Sequence, residues 1–169
     1  MPIKPSEEFI TIVEEQLHTF NDRIEDLLLN GLIRIGERAV NIARQHHRYK
    51  DQTGNLTSSV GYAIVKDGKV VMESSFEQTR PTATEGSNKG RSFAHSLAKA
   101  YPEGIALVVV AGMNYAAYVE RRGLGGMTEA ELRARNDAEK LLVKITKQAY
   151  RKEQEISRLY ETMKNIFYD

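Results

Sequence analysis

The sequence predicts an α+β domain, a small antiparallel β-sheet packed with a long N-terminal helix and a long C-terminal helix. Three observations carry that expectation. Apolar residues recur at three- and four-residue steps through residues 6–48 and again from residue 128 onward. Residues 60–75 read as two strands around Asp67-Gly68, a dipeptide suited to a two-residue hairpin turn. Residues 105–111, IALVVVA, form the most apolar run in the chain, short and β-branched as a strand is.

Residues 1–5 are an extended lead-in. Ser6 is a favourable N-cap, with Glu7 and Glu8 in the first turn, where the helix dipole favours negative charge. Phe9, Val13, Leu17, Phe20, Ile24 and Leu27 or Leu28 then mark one apolar stripe, which resumes after Asn30-Gly31 with Leu32, Ile35, Ala39 and Ile42. This predicts helix over residues 6–48, with a kink or short break at Gly31, because glycine is disfavoured inside helices. At 1.5 Å per residue such a helix spans roughly 60 Å, more than a small domain's core. Its first part is therefore expected to pack on a neighbouring subunit or on the C-terminal helix.

Residues 49–62 read YKDQTGNLTSSVGY. Gly54 takes positive φ without steric cost, and Asn55 tolerates it better than most residues. Thr53, Asn55, Thr57, Ser58 and Ser59 carry short polar side chains that bond nearby backbone. The stretch is a helix stop, a tight turn and a restart, with a short helical turn over residues 56–59. Strands follow over 60–66 and 69–75.

Residues 77–91 are rich in Thr, Gly, Ser and Asn and are expected to form a long mobile loop. A short helix over 92–100 places Phe93, Leu97 and Ala100 on one side, and Pro102 and Gly104 end it. Residues 105–111 are expected as a central strand. Tyr115, Tyr118 and Val119 recur at helical spacing up to Arg122, and glycines between 123 and 126 stop that segment.

Thr128 and Glu131 match a capping box. The helix after them runs to residue 167. Its nearly heptad seam is Leu132, Ala138, Leu141 or Leu142, Ile145, Ala149, Ile156, Leu159, Met163 and Ile166. The expected core of the sheet is Val65, Val71, Val108 and Val110. The whole is read as a single domain over residues 1–169, with its sheet-containing part at 49–122.

Composition bounds the function. The 169 residues are 41% apolar and 28% charged, which describes a globular chain with a solvated surface. The net charge of +1 gives no global case for nucleic acid or an acidic membrane. There is no cysteine, so disulfides, thiolate nucleophiles and cysteine zinc sites are excluded. No signal-peptide core and no apolar run of about 18 residues occurs, so the protein is expected to be soluble and made in the cytoplasm.

The candidate chemical groups read as structural. His46 and His47 are adjacent and point apart on a helix, so they cannot share a metal on one face. His47 and Asp51 could, but the chain is expected to leave the helix between them. Glu120, beside Arg121 and Arg122, has no second carboxylate or histidine at a recognisable motif distance. Residues 86–90 with Lys89 lack the spacing and the Lys-Ser/Thr ending of a phosphate loop. Lys140, Lys144, Lys147, Arg151 and Lys152 alternate with Glu139, Glu153 and Glu155, the pattern of an ordinary solvated helix face. No catalytic, metal or cofactor residue is assigned.

Two stretches resemble a known family. After a long first helix comes DQTGNLTSSVGY at residues 51–62, and much later GMNYAAYVE at 112–120. Their order is similar to that of the phage tail-completion proteins, minor tail components at the head–tail neck of long-tailed phages. The resemblance rests on Asp51, Thr53, Gly54, Leu56, Ser59, Gly61, Tyr62, Tyr115, Ala116, Tyr118 and Glu120. The family resemblance implies that the two tyrosines of the second stretch pack near the sheet, while the carboxylate fixes nearby backbone or an arginine. The insertion from residue 77 and the length of the C-terminal helix depart from the family pattern.

The resemblance implies a structural protein acting in virion assembly, and not an enzyme. It implies a homo-oligomeric ring between the phage head connector and the tail tube. The location is the host bacterial cytoplasm during assembly and then the virion. No cofactor, small-molecule substrate, membrane or sequence-specific nucleic acid is expected. The alternative is a helical dimerising regulatory or toxin–antitoxin-type module, which the two helical seams alone would support. Replacing Gly54 with Val is expected to destabilise the fold or block assembly; unchanged melting with unchanged particle yield refutes this.

Overall fold

A computed structural model describes residues 7–168, with side-chain placement given for residue 7 and for 10–158. The extended lead-in and the Ser6 cap lie outside the described residues, as do the side chains of Phe9, Leu159, Met163 and Ile166. The elements in order are α1 (Glu7–Gln45), α2 (Asn55–Ser58), β1 (Val60–Lys66), β2 (Lys69–Glu73), α3 (Thr84–Ala98), β3 (Ile105–Ala111), α4 (Ala116–Arg121) and α5 (Met127–Tyr168). The fold is α+β, with two long helices and a three-stranded antiparallel sheet. Two compact units are present. One is Gly31–Ala138, and the other is the described part of Met1–Asn30 with Glu139–Asp169.

The Gly31–Ala138 unit holds the sheet, in the order β2-β1-β3. The hairpin at Asp67-Gly68 has positive φ at both residues, 50° and 78°, the signature of a type I′ turn. β1 pairs with both neighbours, from Val60 opposite Ala111 to Lys66 opposite Ile105 on the β3 side. The most apolar run therefore makes an edge strand rather than the expected centre. The connection through α3 carries β3 to the side of β1 away from β2, and β1 is the strand that is buried from residue 60 to 65. Its odd positions face α3, where Ala63, Val65, Val108 and Val110 meet Phe76, Ala94 and Ala98. On the other face Tyr62 meets α1, its hydroxyl donating to Glu37 Oε1 at 2.9 Å.

Several expectations are corrected. The break at Gly31 is absent, since α1 is one helix through it and ends at Gln45 rather than residue 48. One glycine costs about 1 kcal/mol, and the burial of Leu32 and Ile35 beside it offsets that. Val71 is not core: it is 47% exposed, as Met72 is 46%, because β2 is a sheet edge. The return strand stops at Glu73. On α5, Ala138, Leu141, Ile145, Ala149 and Ile156 are part-buried, but Leu132 and Leu142 are exposed and leave the seam.

The largest correction concerns residues 77–91. Residues 84–91 are the first turns of α3, so the loop is half the expected length. Ala83, Gly86, Ser87, Gly90, Ala94 and Ala98 are all buried and recur at helical spacing. This is a helix face made of small residues, which an apolar-periodicity reading passes over. The smallness is required: a Cβ on Gly86 would collide with the Asn55 carbonyl, and one on Gly90 would lie 2.5 Å from the Ser59 carbonyl oxygen. Helix α3 thus packs backbone to backbone on α2.

Between β2 and α3 the chain turns at Phe76, whose φ is 49° although it is not glycine. That conformation costs about 1–3 kcal/mol. Full burial of the Phe76 ring contributes a comparable amount, about 1.5–3 kcal/mol. Ser87 Oγ donates to the Phe76 carbonyl and fixes the turn.

Gly86→Ala is expected to invert the usual propensity rule. In an open helix it would stabilise by about 1 kcal/mol; here it is expected to lower stability by about 1–3 kcal/mol through overpacking. Urea melts of the two proteins decide the sign.

Candidate functional site

Residues 51–62 form a knot of polar contacts that receives the segment before α3. Gly54 sits at φ 78° as the residue before α2. Its N–H donates to Asp51 Oδ1 at 3.1 Å, and Asn55 N–H donates to Thr53 Oγ1 at 3.3 Å. The Gly54 carbonyl accepts from Ser58 N–H at 2.9 Å and from Thr79 Oγ1 at 3.2 Å. Thr79 N–H donates to Ser58 Oγ at 2.8 Å. Arg80 donates to the Gln52 carbonyl and Thr82 to the Thr53 carbonyl, at 2.9 and 3.1 Å. Asn55 Oδ1 then accepts Gly86 N–H at 3.0 Å, satisfying an orphan donor in the first turn of α3. Leu56 and Ser59 are buried, and Ser59 Oγ donates to the Leu56 carbonyl at 2.8 Å.

The second stretch, residues 112–120, adjoins the first. Gly112 N–H donates to the Ser59 carbonyl at 3.2 Å. Leu56, Val60, Ala116, Val119 and Glu120 help line one cavity of about 20 Å³, about the room one water needs. Tyr49 borders the same cavity and bonds Thr57 Oγ1 through its hydroxyl at 2.9 Å. Burial pushes the Tyr49 phenol up from its ordinary value. Burial likewise raises Tyr115, and the Asp51 carboxylate beside it adds to the shift.

The remaining site residues divide. Gly61 lies within β1, opposite Val110, under the Phe76 ring. Tyr62 faces α1, away from the second stretch, and its hydroxyl is pushed up to about 12 by burial and by its bond to Glu37. Tyr115 and Tyr118 are partly open to solvent. They are 41% and 53% exposed, and Tyr118 lies under the Arg122 guanidinium at 4.8 Å.

Glu120 turns its carboxylate on the start of α5. Oε1 accepts Thr128 N–H at 2.8 Å and Thr128 Oγ1 at 2.6 Å, and Oε2 accepts Met127 N–H at 3.3 Å. Thr128 is therefore inside the helix, and the expected capping box does not form. Glu131 bonds Arg135 instead, at 3.1 Å. A carboxylate from α4 caps α5 because the glycine-containing turn after Arg122 brings the two together. Burial alone would raise the Glu120 carboxyl, but the bonds from Thr128 and Met127 outweigh it and hold the group below its ordinary value. A carboxyl so held is a poor proton donor near neutrality.

The histidines are engaged elsewhere. His46 Nδ1 meets Glu129 at 2.8 Å, and the His47 ring stacks on Tyr49 at 4.0 Å. Asp51 serves the Gly54 turn. No group of three or more His, Asp or Glu placed to hold a metal occurs among the described residues. No described helix is long and apolar enough to cross a membrane. The contacts of Thr79, Arg80, Thr82 and Phe76 were not legible in sequence, since they depend on where α3 begins. Neither a protein-family model, a curated protein nor a solved structure matches the chain.

Glu120→Gln keeps acceptor oxygen but loses the charge at the helix N-terminus. A cap of this kind is worth about 1 kcal/mol. Because the folded carboxyl titrates below the unfolded one, its contribution is full above the unfolded value and is lost as pH falls through the folded value. The wild type is expected to melt above the variant at neutral pH, and the gap is expected to close in acid. A constant gap across that range would assign the effect to packing.

Proposed function

We propose that this chain is a structural protein of phage or prophage origin that acts in virion assembly at the head–tail junction. One observation carries the reading. The two stretches that resemble the tail-completion family, 56 residues apart from Leu56 to Gly112 by numbering, adjoin in the fold through the Gly112–Ser59 bond and the shared small cavity. Their residues hold elements together: Asp51 fixes a turn, Asn55 starts α3 and Glu120 starts α5. In this reading the sheet is a rigid platform, copies associate in the virion, and the neighbours are the head connector and the tail tube. The exposed edge strand β2, with Val71 and Met72 accessible, is a surface that a neighbouring chain can use. The work is assembly, without turnover or cofactor.

A second reading has its own observation. Leu132, Leu142, Val143 and Tyr150 on α5 are exposed, which also suits a dimerising regulatory or toxin–antitoxin-type module.

Deletion of the gene in the parent phage, followed by electron microscopy of the lysate, separates the two. Filled heads beside free or aberrant tails are the expected outcome. Normal infectious virions would remove the neck role and leave the helical module.

A further inference from the structure

Helix α5 is apolar on two faces. Ala138, Leu141, Ile145, Ala149 and Ile156 are part-buried. Leu142, Val143 and Tyr150 are 55%, 55% and 60% exposed and, with Thr146, Lys147 and Arg151, line an open groove of about 530 Å³. A surface helix needs only one apolar stripe to join its core. Beside the exposed stripe runs a cationic one. Lys140, Lys144, Lys147 and Arg151 follow at steps of four, three and four, so they share a face. All four are exposed, and none is ion-paired among the described residues.

Helix α1 carries the complement. Ile12, Glu15, Thr19, Asp22 and Asp26 follow at steps of three, four, three and four. Every one of the five is exposed. Leu27 borders them and is exposed too. Among the described residues, Asp22 pairs with His18 of its own helix, at 3.0 Å. The stripe therefore holds three carboxylates with apolar ends and one cation, Arg23, at its border, where that of α5 holds four cations with an apolar border and one carboxylate, Glu155, at its far end. Each covers three to four helical turns, roughly 16–22 Å.

We propose that these faces bind each other between copies: the Leu142–Val143–Tyr150 groove and its cations on α5 receive the Ile12–Asp26 face of α1 from a second copy of this chain. Burial of apolar side chains supplies attraction, and the charges set the partner and the register. The two faces differ, so each copy offers one and accepts on the other. Such head-to-tail contacts generate a ring when the rotation closes and a filament when it does not. The proposal stands on the two helices alone and does not depend on the head–tail reading, which the phage deletion tests separately.

The test is sedimentation of purified full-length protein with two charge-reversed variants. One carries Lys144→Glu, Lys147→Glu and Arg151→Glu; the other carries Glu15→Lys, Asp22→Lys and Asp26→Lys. Wild type is expected to sediment as an oligomer that dissociates as salt rises. Each variant alone is expected to be monomeric, since its two faces now repel. An equal mixture is expected to associate again, with the two variants alternating, because every contact between unlike variants is complementary. Far-UV circular dichroism checks that each variant is folded. Should either triple variant fail to fold, Lys147→Gln with Arg151→Gln is expected to weaken association at least about tenfold, the effect of losing about 1.4 kcal/mol. Monomeric wild type at all concentrations, variants that assemble as wild type does, or a mixture that stays monomeric overturns the proposal. So does a monomer that binds duplex DNA through the same cations, since that assigns the stripe to phosphates.

Discussion

In the Gly31–Ala138 unit α3 lies against α2 with no room for a side chain between them, and the rest of the unit depends on that contact. Gly86 and Gly90 let the two backbones touch, and Gly112 in turn packs on the backbone of Gly90. With α3 seated there, Ala94 and Ala98 reach the sheet and close the core over Ala63, Val65, Val108 and Val110. Phe76 fills the corner beneath, held in a left-handed conformation that its burial offsets. Any side chain at Gly86 would lift the helix from its seat, so the contact tolerates no partial version.

Polar groups do the positioning where apolar area is scarce. Within residues 51–59, Asp51, Thr53 and Ser59 bond local backbone through their side chains, a use that disfavours such residues in helix interiors and suits them to turns, while Asn55, Thr57 and Ser58 reach beyond the stretch. Here they act on two elements at once. Asn55 belongs to α2 but satisfies an N–H of α3, and Ser58 belongs to α2 but anchors Thr79. Glu120 repeats the device, being part of α4 while capping α5. In each case a side chain of one element holds the backbone of the next segment: Asn55 and Glu120 complete the starts of α3 and α5, and Ser58 ties down the segment before α3.

What sequence periodicity can see explains what was legible. The long helices, the hairpin at Asp67-Gly68 and the strand at 105–111 announce themselves through apolar spacing or turn chemistry, and all are present. The small-residue face of α3 does not, because Gly86, Ser87 and Gly90 carry no apolar signal although all three are buried. The central place of β1 over β3 was illegible for another reason. Strand order follows from the path of the connection, and hydropathy ranked β3 first although β1 is the strand covered on both faces. Among the site residues, the turn chemistry of Asp51, Thr53 and Gly54 was readable locally. The Glu120 cap was not, since Thr128 and Glu131 offered a competing local pattern and only the turn after Arg122 decides between them.

Net charge hid a second feature in the same way. A total of +1 averages an acidic run near the start of α1 against a cationic one in the middle of α5. The alternation of Lys140, Lys144, Lys147 and Arg151 with Glu139 and Glu153 along the chain looks like compensation. Around the helix it is only partly so: at 100° per residue the four cations gather on one side and Glu139 and Glu153 fall about a quarter turn or more away, while Glu155 borders the cations at the far end and pairs with Lys152. Charges that cancel in sequence but separate in space leave a directional surface. A helix face that is cationic along one border and apolar along the next has most to gain from a partner that is acidic and apolar in the same arrangement, and α1 of this chain has that arrangement.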